Sequence, residues 1–229
     1  MIDHHVTTTT TTATPDAPVF HVYIVDDDEG VRHSLAALLL AGGHVAEPFE
    51  SGADFLARAD MSRPGCVLLD LRMDGMSGLQ VFDAMRQRGT VLKTVFLSAH
   101  GELASAVAAV KQGAVDWLEK PCDEATLLAA VHRAATMSEE VAAHTQRHAL
   151  LLERWNALSP RQQEVARLLA TGISSKEAAR AMAQRDPERP IDPRTVDTHR
   201  SAIFLKLDIR SSHELGMLVE DLGLSRTPS

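Results

Sequence analysis

Between Phe20 and Pro121 the chain alternates short apolar runs with longer amphipathic stretches. The apolar runs are rich in β-branched and aromatic residues, which is typical of buried strands. The amphipathic stretches repeat apolar residues at three- and four-residue spacing and tend to close at glycine, which predicts helices. The predicted strands are 20–25, 44–49, 66–69, 94–97 and 115–118, and the predicted helices are 31–41, 53–59, 79–88, 102–112 and one that starts at Glu124.

This alternation of five strands with five helices predicts the fold class of the first part of the chain. Strands that are separated by helices pair in parallel, and the helices then cover both faces of the sheet. We therefore expect a doubly wound α/β domain. Ligands of such domains bind at the carboxyl ends of the strands, near the point where the strand order reverses.

A long helical stretch follows, from Leu128 to Pro160. Its apolar positions keep three–four spacing but are mostly alanine: Leu128, Val131, Ala135, Ala142, Ala149 and Leu152. The stretch is either a signalling helix that pairs with a second copy of the chain or a solvated connector between domains.

From Ser159 onward every predicted element is a helix. Ser159, Pro160 and Gln163 match an N-cap, a proline in the first turn and a capping-box partner. The four helices begin at Pro160, Ser175, Pro193 and Ser212, and the third runs to about Leu207. A polar stretch, 184–192, separates the second helix from the third and predicts an extended loop.

The length and composition agree with a two-domain protein. The chain has 229 residues, and domains usually contain roughly 100–150. No apolar run approaches the roughly 20 residues that span a bilayer, so we expect no membrane partner and a cytoplasmic location. Cys66 and Cys122 are expected to be reduced thiols. The threonine-rich segment 1–18 is either a disordered tail or a remnant of cloning, and 225–229 is expected to be frayed.

Charge is distributed unevenly between the two parts. Up to Leu152 there are 11 Lys and Arg against 20 Asp and Glu, and from Glu153 onward 12 against 11, which together account for the net charge of −8. An acidic first part and a near-neutral, arginine-rich second part suggest two different partners. The balance alone does not indicate nucleic-acid binding.

Polar side chains follow four of the predicted strands. Asp26 and Asp27 come after the first strand, Asp70 after the third, Ser98 after the fourth and Lys120 after the fifth. Any one of them alone would usually be a solvated surface group, but all of these positions fall at the same edge of the sheet. Clustered carboxylates need a cation, and hard oxygen ligands favour Mg²⁺. Such a site suits phosphoryl transfer to Asp70.

The segments VDDDEGVR, LLDLRM, LSAHG and AVDWLEKP, which occur in this order between Val25 and Pro121, resemble the motifs of response-regulator receiver domains. The resemblance covers about 20–136 and implies a flavodoxin-like sheet. It implies that Asp70 accepts a phosphoryl group from a sensor histidine kinase. It also implies that Mg²⁺ is bound by Asp26, Asp27, Asp70 and the backbone carbonyl of Arg72.

The same resemblance implies a switch around the phosphoryl group. Ser98 and Lys120 would bind phosphoryl oxygens, and Trp117 would be the aromatic residue whose rotamer follows the position of Ser98. One departure is Asp74, where the family usually has proline. We expect this carboxylate near the metal site to increase the affinity for Mg²⁺ or to alter the lifetime of the phosphoryl group.

The second part resembles the four-helix, LuxR-type helix-turn-helix domain of the FixJ/NarL class, from about Leu158 to Leu222. The resemblance is carried by LSPRQQEVARLLATGISSKEAARAM and DPRTVDTHRSAIFLKLDIRS. It implies that the third helix enters the major groove of DNA. The implied contact residues are Arg194, Thr195, Asp197, Thr198, Arg200, Ser201 and Lys206. Val196, Ile203 and Leu207 recur at helical spacing and are expected in the core.

The predicted loop 184–192 carries Arg185 and Arg189. It either holds these arginines against the phosphate backbone of DNA or is a solvent loop. Deleting it should weaken DNA binding and flatten its salt dependence if the arginines contact phosphates.

These observations predict a phosphorylation-dependent transcriptional regulator that binds promoter DNA as a homodimer. The alternative is a phosphorylation-independent DNA-binding protein that uses the receiver domain for dimerisation. An enzyme is disfavoured, because Asp70 lacks a second carboxylate two residues on that could act as a general acid. The predicted boundaries are 1–18 for the tail, 19–136 for the receiver domain, 137–157 for a helical linker, 158–224 for the DNA-binding domain and 225–229 for the C-terminus.

Overall fold

The computed structural model describes residues 18–99 and 109–224, which belong to two compact units with their boundary between Ala142 and Ala143. The predictions for segments 1–17 and 225–229, and for most of the helix 102–112, concern residues outside the described ranges. Within the described residues, no helix is both long enough and apolar enough to cross a membrane.

A five-stranded sheet forms the centre of the first unit. All neighbouring strands are parallel, and their order is β2-β1-β3-β4-β5. The strands are β1 (His21–Val25), β2 (Val45–Phe49), β3 (Cys66–Asp70), β4 (Lys93–Ser98) and β5 (Asp116–Glu119). Every predicted strand end lies within one residue of the observed one, and the predicted doubly wound parallel sheet is confirmed.

Polar caps set where the helices of this unit begin. Asp28, Ser51 and Ser77 accept hydrogen bonds from the first turns of three helices. The first helix therefore starts two residues earlier than predicted. The helices are α1 (Glu29–Ala41), α2 (Gly52–Arg58), α3 (Gly78–Gln87) and α4 (Glu124–Asn156).

Alternate residues of the strands enter two separate hydrophobic cores. Tyr23, Leu69 and Phe96 face α2 and α3. Ile24 and Leu68 face the other side, where α1 and the first turns of α4 pack. The central strands β1, β3 and β4 are buried on both faces, so their apolar runs are continuous rather than alternating, whereas the edge strands β2 and β5 are partly exposed.

The apolar positions of α4 serve different purposes along its length. Val131 and Ala135 are fully buried against the sheet, so they take no part in a seam with a second copy. Ala149 and Leu152 remain exposed. Ser138 is a polar residue within this helix, but it is buried, accepting from Gly65 N at 2.9 Å and donating to Val91 O at 2.8 Å.

The second unit contains the end of α4 and four further helices around one core. Val165, Met182, Val196, Ile203 and Leu215 are among its fully buried side chains. The predicted burial of Val196, Ile203 and Leu207 is confirmed. The helices are α5 (Pro160–Ala170), α6 (Ser175–Arg185), α7 (Pro193–Leu207) and α8 (Ser212–Asp221).

Two local predictions in this unit were wrong. The capping-box partner of Ser159 is Gln162 rather than Gln163, because the N3 position falls on Gln162, while the Gln163 amide donates to Trp155 O at 3.2 Å. The segment predicted as loop 184–192 is also shorter. Arg185 is the last residue of α6, and Asp186, before Pro187, is its C-cap.

Candidate functional site

Three side chains predicted to form the site meet at the carboxyl edge of the sheet. Lys120 Nζ lies 2.6 Å from Asp26 Oδ2 and 2.5 Å from Asp70 Oδ1. Asp26 follows β1, Asp70 ends β3 and Lys120 follows β5. Because β1 and β3 are adjacent, their ends bring the two carboxylates together, and the ammonium lies between them.

The electrostatics of this cluster depend on burial and on mutual charge. Asp26 and Asp70 are buried. Burial raises the pKa of the Asp70 carboxyl, and the Asp26 charge adds to the effect, while Lys120 and the Arg72 amide oppose it. Burial also acts to lower the pKa of Lys120, but its hydrogen bonds with both carboxylates outweigh this and raise it.

The backbone around β1 holds Asp26 in place. Asp26 Oδ1 accepts from Asp28 N at 2.9 Å, and the Asp26 carbonyl accepts from Arg32 Nη1 at 2.8 Å. Asp28 in turn caps α1 by accepting from Val31 N at 3.0 Å. The roles of Asp28 and Arg32 were missed in the sequence, although an Asp before a helical pattern is an N-cap signal.

The loop after β3 donates backbone hydrogen bonds to Asp70 and Asp27. Asp70 Oδ2 accepts from Arg72 N at 2.8 Å. Asp27 Oδ2 accepts from Asp74 N at 2.9 Å, and the Asp74 side chain is exposed. The feature at Asp74 that contacts this site is therefore its backbone N–H, which proline would lack.

Gly78 allows this loop to return close to β3. Its N–H donates to Leu71 O at 2.9 Å, and a Cβ atom at this position would lie 2.2 Å from the Asp70 carbonyl oxygen. Only glycine permits so close an approach of backbone to backbone. The sequence analysis did not single out this residue.

Ser98 and Trp117 are joined directly. Trp117 Nε1 donates to Ser98 Oγ at 2.6 Å. Ser98 ends β4 and is buried, while Trp117 is half-buried on β5 with its ring stacked on Phe96 at 5.2 Å between centroids. The predicted pair of hydroxyl and aromatic side chain is thus in contact.

The chemistry of the donor set suits Mg²⁺. The predicted ligands are the carboxylates of Asp26, Asp27 and Asp70 and the carbonyl of Arg72, which are all hard oxygen donors. In the described ranges, however, no three His, Cys, Asp or Glu side chains surround a common metal position. Asp26 and Asp70 converge on the Lys120 ammonium instead.

The residues predicted to contact DNA lie on the outer surface of α7. All seven are exposed: Arg194, Thr195, Asp197, Thr198, Arg200, Ser201 and Lys206. Asp192 caps this helix by accepting from Thr195 N at 2.9 Å. The cap lowers the pKa of the Asp192 carboxyl through its hydrogen bonds with Thr195.

Some of these side chains already have partners inside the unit. Asp197 Oδ1 accepts from Ser175 Oγ at 2.5 Å, which links α7 to the start of α6. Lys206 Nζ donates to Ala157 O at 3.2 Å and to Gln162 Oε1 at 3.0 Å. The carboxylate of Asp197, unexpected on a surface that faces an anion, therefore has an internal structural contact.

The fold and the site define a class of protein. A parallel sheet in the order β2-β1-β3-β4-β5, with a lysine between two aspartates at its carboxyl edge, is a receiver fold. The model of the response regulator receiver domain matches residues 22–132, and that of bacterial regulatory proteins of the luxR family matches residues 156–219. The molecule is a response regulator with a DNA-binding helix-turn-helix domain.

Similar proteins narrow this class to a family. The tetrathionate response regulatory protein TtrR of Salmonella typhimurium is 40% identical over 206 residues, which cover 90% of this chain and 95% of that protein. The transcriptional regulatory protein FixJ of Azorhizobium caulinodans is 34% identical, with coverage of 85% and 89%. The structure of the response regulator StyR has a TM-score of 0.76 at 33% identity, with coverage of 87% and 98%. The chain belongs to the FixJ-type response regulators of two-component systems.

Proposed function

We propose that this response regulator controls transcription by DNA binding that depends on transfer of a phosphoryl group from a sensor histidine kinase to Asp70. One observation carries the proposal. The Asp70 carboxylate is held at both oxygens, by Lys120 Nζ at 2.5 Å and by Arg72 N at 2.8 Å, at the edge of the sheet where ligands bind.

The proposed step forms a bond between an Asp70 carboxylate oxygen and phosphorus, while the bond from phosphorus to the kinase histidine nitrogen breaks. Asp70 enters this step as the carboxylate. Lys120 would then pair with an oxygen of the transferred phosphoryl group, because its ammonium already lies next to Asp70. Ser98, buried at the end of β4, would donate its hydroxyl to another phosphoryl oxygen.

Asp26, Asp27, Asp70 and the Arg72 carbonyl would hold Mg²⁺. When bound, the ion neutralises the negative charge that builds up between carboxylates and phosphoryl oxygens. Asp27 is held for this role by the Asp74 N–H. Asp26 is held by the Asp28 N–H and by Arg32, which contacts its carbonyl.

The hydrogen bond between Trp117 and Ser98 supplies a readout of phosphorylation. Ser98 Oγ accepts from the indole N–H and can donate its own hydrogen at the same time, so donation alone does not break this bond. The bond breaks when Ser98 turns its hydroxyl towards a phosphoryl group on Asp70 and carries Oγ away from the indole. Trp117 then loses its partner and changes rotamer, which alters the half-buried surface around β5. This movement of Ser98 links Asp70 to the outer surface of the receiver domain.

DNA recognition is proposed to use α7 in the major groove of promoter sites, with the protein bound as a homodimer that forms on activation. The segment 111–117 of the receiver and the helix α8 are the two candidate dimer surfaces. The proposed boundaries are 19–136 for the receiver domain, 137–157 for the linker and 158–224 for the DNA-binding domain. Because bacterial promoters are in the cytoplasm, we propose that location for the protein.

Mass spectrometry of the intact protein tests the phosphoryl-transfer part of this proposal. Incubation with acetyl phosphate and Mg²⁺ should add one phosphoryl group to the wild type and none to Asp70→Asn. Asp74→Asn, which keeps the N–H that holds Asp27, is the matched control and should still be labelled. Equal labelling of wild type and Asp70→Asn would contradict the assignment of Asp70.

A further inference from the structure

Leu205 is the most exposed of the large apolar side chains in the described ranges, with 83% of its surface accessible. It lies in the last turns of α7, between Phe204, which is partly buried in the core, and Lys206. A single exposed leucine needs no explanation in itself. Its position on this particular helix does.

Leu205 shares one face of α7 with residues already assigned to DNA. Arg194, Thr198, Ser201 and Leu205 follow spacings of four, three and four residues, which place them in one row along a helix. The opposite face carries buried Val196, Ile203 and Leu207. The row that contains Leu205 therefore points away from the core of its unit.

Leu205 is the apolar side chain of this row, and the hydroxyl groups of its neighbours are bonded to the backbone. Thr198 Oγ1 donates to Arg194 O at 3.1 Å, and Ser201 Oγ donates to Asp197 O at 3.2 Å. The next residue, Lys206, directs its ammonium back to Ala157 and Gln162. At this end of α7 the surface offered to a groove is thus apolar rather than cationic.

We propose that Leu205 contacts the 5-methyl group of a thymine in the major groove and so contributes to sequence specificity. The methyl group is the apolar feature that distinguishes thymine among the base edges of the major groove. Leu205 lies one helical turn, about 6 Å along the axis, beyond Ser201. This inference rests on the proposed DNA binding by α7.

Site selection followed by a double-mutant cycle tests the contact. Double-stranded sites are first selected from random DNA by the full chain treated with acetyl phosphate and Mg²⁺. Binding of wild type and Leu205→Ala is then measured on the selected site, and on the same site with deoxyuridine in place of each thymine in turn. Deoxyuridine removes only the methyl group.

At one thymine per half-site, removal of the methyl group should weaken wild-type binding about fourfold, the equivalent of one methyl group withdrawn from an apolar contact. Leu205→Ala should bind the thymine site about fourfold more weakly and show no further loss on deoxyuridine. Leu40→Ala, which truncates another exposed leucine in the first unit, is the matched control and should behave as the wild type at every position.

Two results would overturn the contact. If Leu205→Ala binds more weakly than the wild type by the same factor on the thymine site and on the deoxyuridine site, Leu205 contacts sugar or phosphate, or another protein surface. Unchanged DNA affinity with a changed oligomeric state would assign Leu205 to a contact between copies. Failure of the wild type to select any DNA would instead refute the proposed DNA binding itself, which keeps the two failures distinct.

Discussion

The three consecutive aspartates after β1 are chemically alike but have different contacts. Asp26 is buried against Lys120, Asp27 accepts from the Asp74 amide, and Asp28 caps α1. Each role follows from where the backbone leaves the strand and enters the helix. The proposed metal site therefore depends on local backbone geometry as much as on the number of carboxylates.

Asp74→Pro removes the N–H that contacts Asp27 without removing a metal ligand. We expect it to weaken Mg²⁺ binding about fivefold, which corresponds to the loss of one hydrogen bond worth ~1 kcal/mol. Isothermal titration calorimetry with Mg²⁺ measures the affinity.

Asp74→Asn distinguishes the effect of the backbone N–H on Mg²⁺ affinity from the effect of the side-chain carboxylate. It keeps the N–H and removes the charge, so it should bind Mg²⁺ with nearly wild-type affinity. A loss in Asp74→Asn that equals the loss in Asp74→Pro would show that the exposed carboxylate, as first expected from the sequence, is the group that matters.

His44 predicts a pH dependence of stability at the other edge of the sheet. Its ring faces Phe20, and burial and the nearby His132 lower its pKa from the ordinary 6.5. The unfolded chain therefore binds protons more readily at this residue. Above about pH 6.5 the His44 side chain does not change the free energy of unfolding. As the pH falls through 6.5 towards the lowered pKa, the unfolded chain takes up the proton first, and the free energy of unfolding decreases.

Thermal unfolding between pH 5 and 8 measures this effect (a range around the ordinary histidine pKa of about 6.5). His44→Gln cannot titrate and should lose less stability on acidification than the wild type. His33→Gln, which replaces an exposed histidine on α1, is the control. A wild-type pH profile in His44→Gln would contradict the role of His44.

At the scale of elements, α4 is the least uniform part of the molecule. Its first turns complete a core of the receiver domain, and its last turns place Trp155 in the core of the second unit. Ser138, near the middle of the helix, bonds to the backbone before β3 and before β4. This polar residue fastens the helix to the sheet.

Ser138→Ala should weaken the receiver domain by about 1–3 kcal/mol, because the buried Gly65 N–H would lose its acceptor. Amide hydrogen exchange of the peptide that contains Gly65 and β3 measures the effect, and the rate should rise about 5- to 150-fold. Met137→Ala, at the exposed neighbouring position, should leave the rate unchanged. Unchanged exchange in Ser138→Ala would contradict this role.

Elements with a strong local signal were predictable from the sequence. The apolar runs located every strand to within one residue. The signal is strongest in β1, β3 and β4, which are buried on both faces, while β2 and β5 are partly exposed. The end of α6 was misplaced because Gln184 and Arg185 are polar, so the last turn has no apolar period to mark it as helical. The capping partner of Ser159 was misplaced by one residue because Gln162 and Gln163 carry the same side chain.

At the scale of the whole molecule, the order of the strands explains why the site could be predicted. Asp26, Asp70, Ser98 and Lys120 are far apart in the chain, but a parallel sheet brings the carboxyl ends of their strands to one edge. Contacts that depend on close backbone approach were not predictable. Neither the hydrogen bond from the Asp74 N–H to Asp27 nor the lack of room for a side chain at Gly78 has a periodic or compositional signal in the sequence.

We propose that phosphorylation of Asp70 controls DNA binding and so couples the two compact units of the chain. This coupling is tested by the DNA affinity and oligomeric state of wild type and Asp70→Asn, each with and without acetyl phosphate and Mg²⁺. We expect the treated wild type alone to form dimers and to bind about 5- to 150-fold more tightly, the usual range of coupling between sites. Equal affinity and equal oligomeric state for both proteins under all conditions would contradict it and favour a DNA-binding protein that acts independently of phosphorylation.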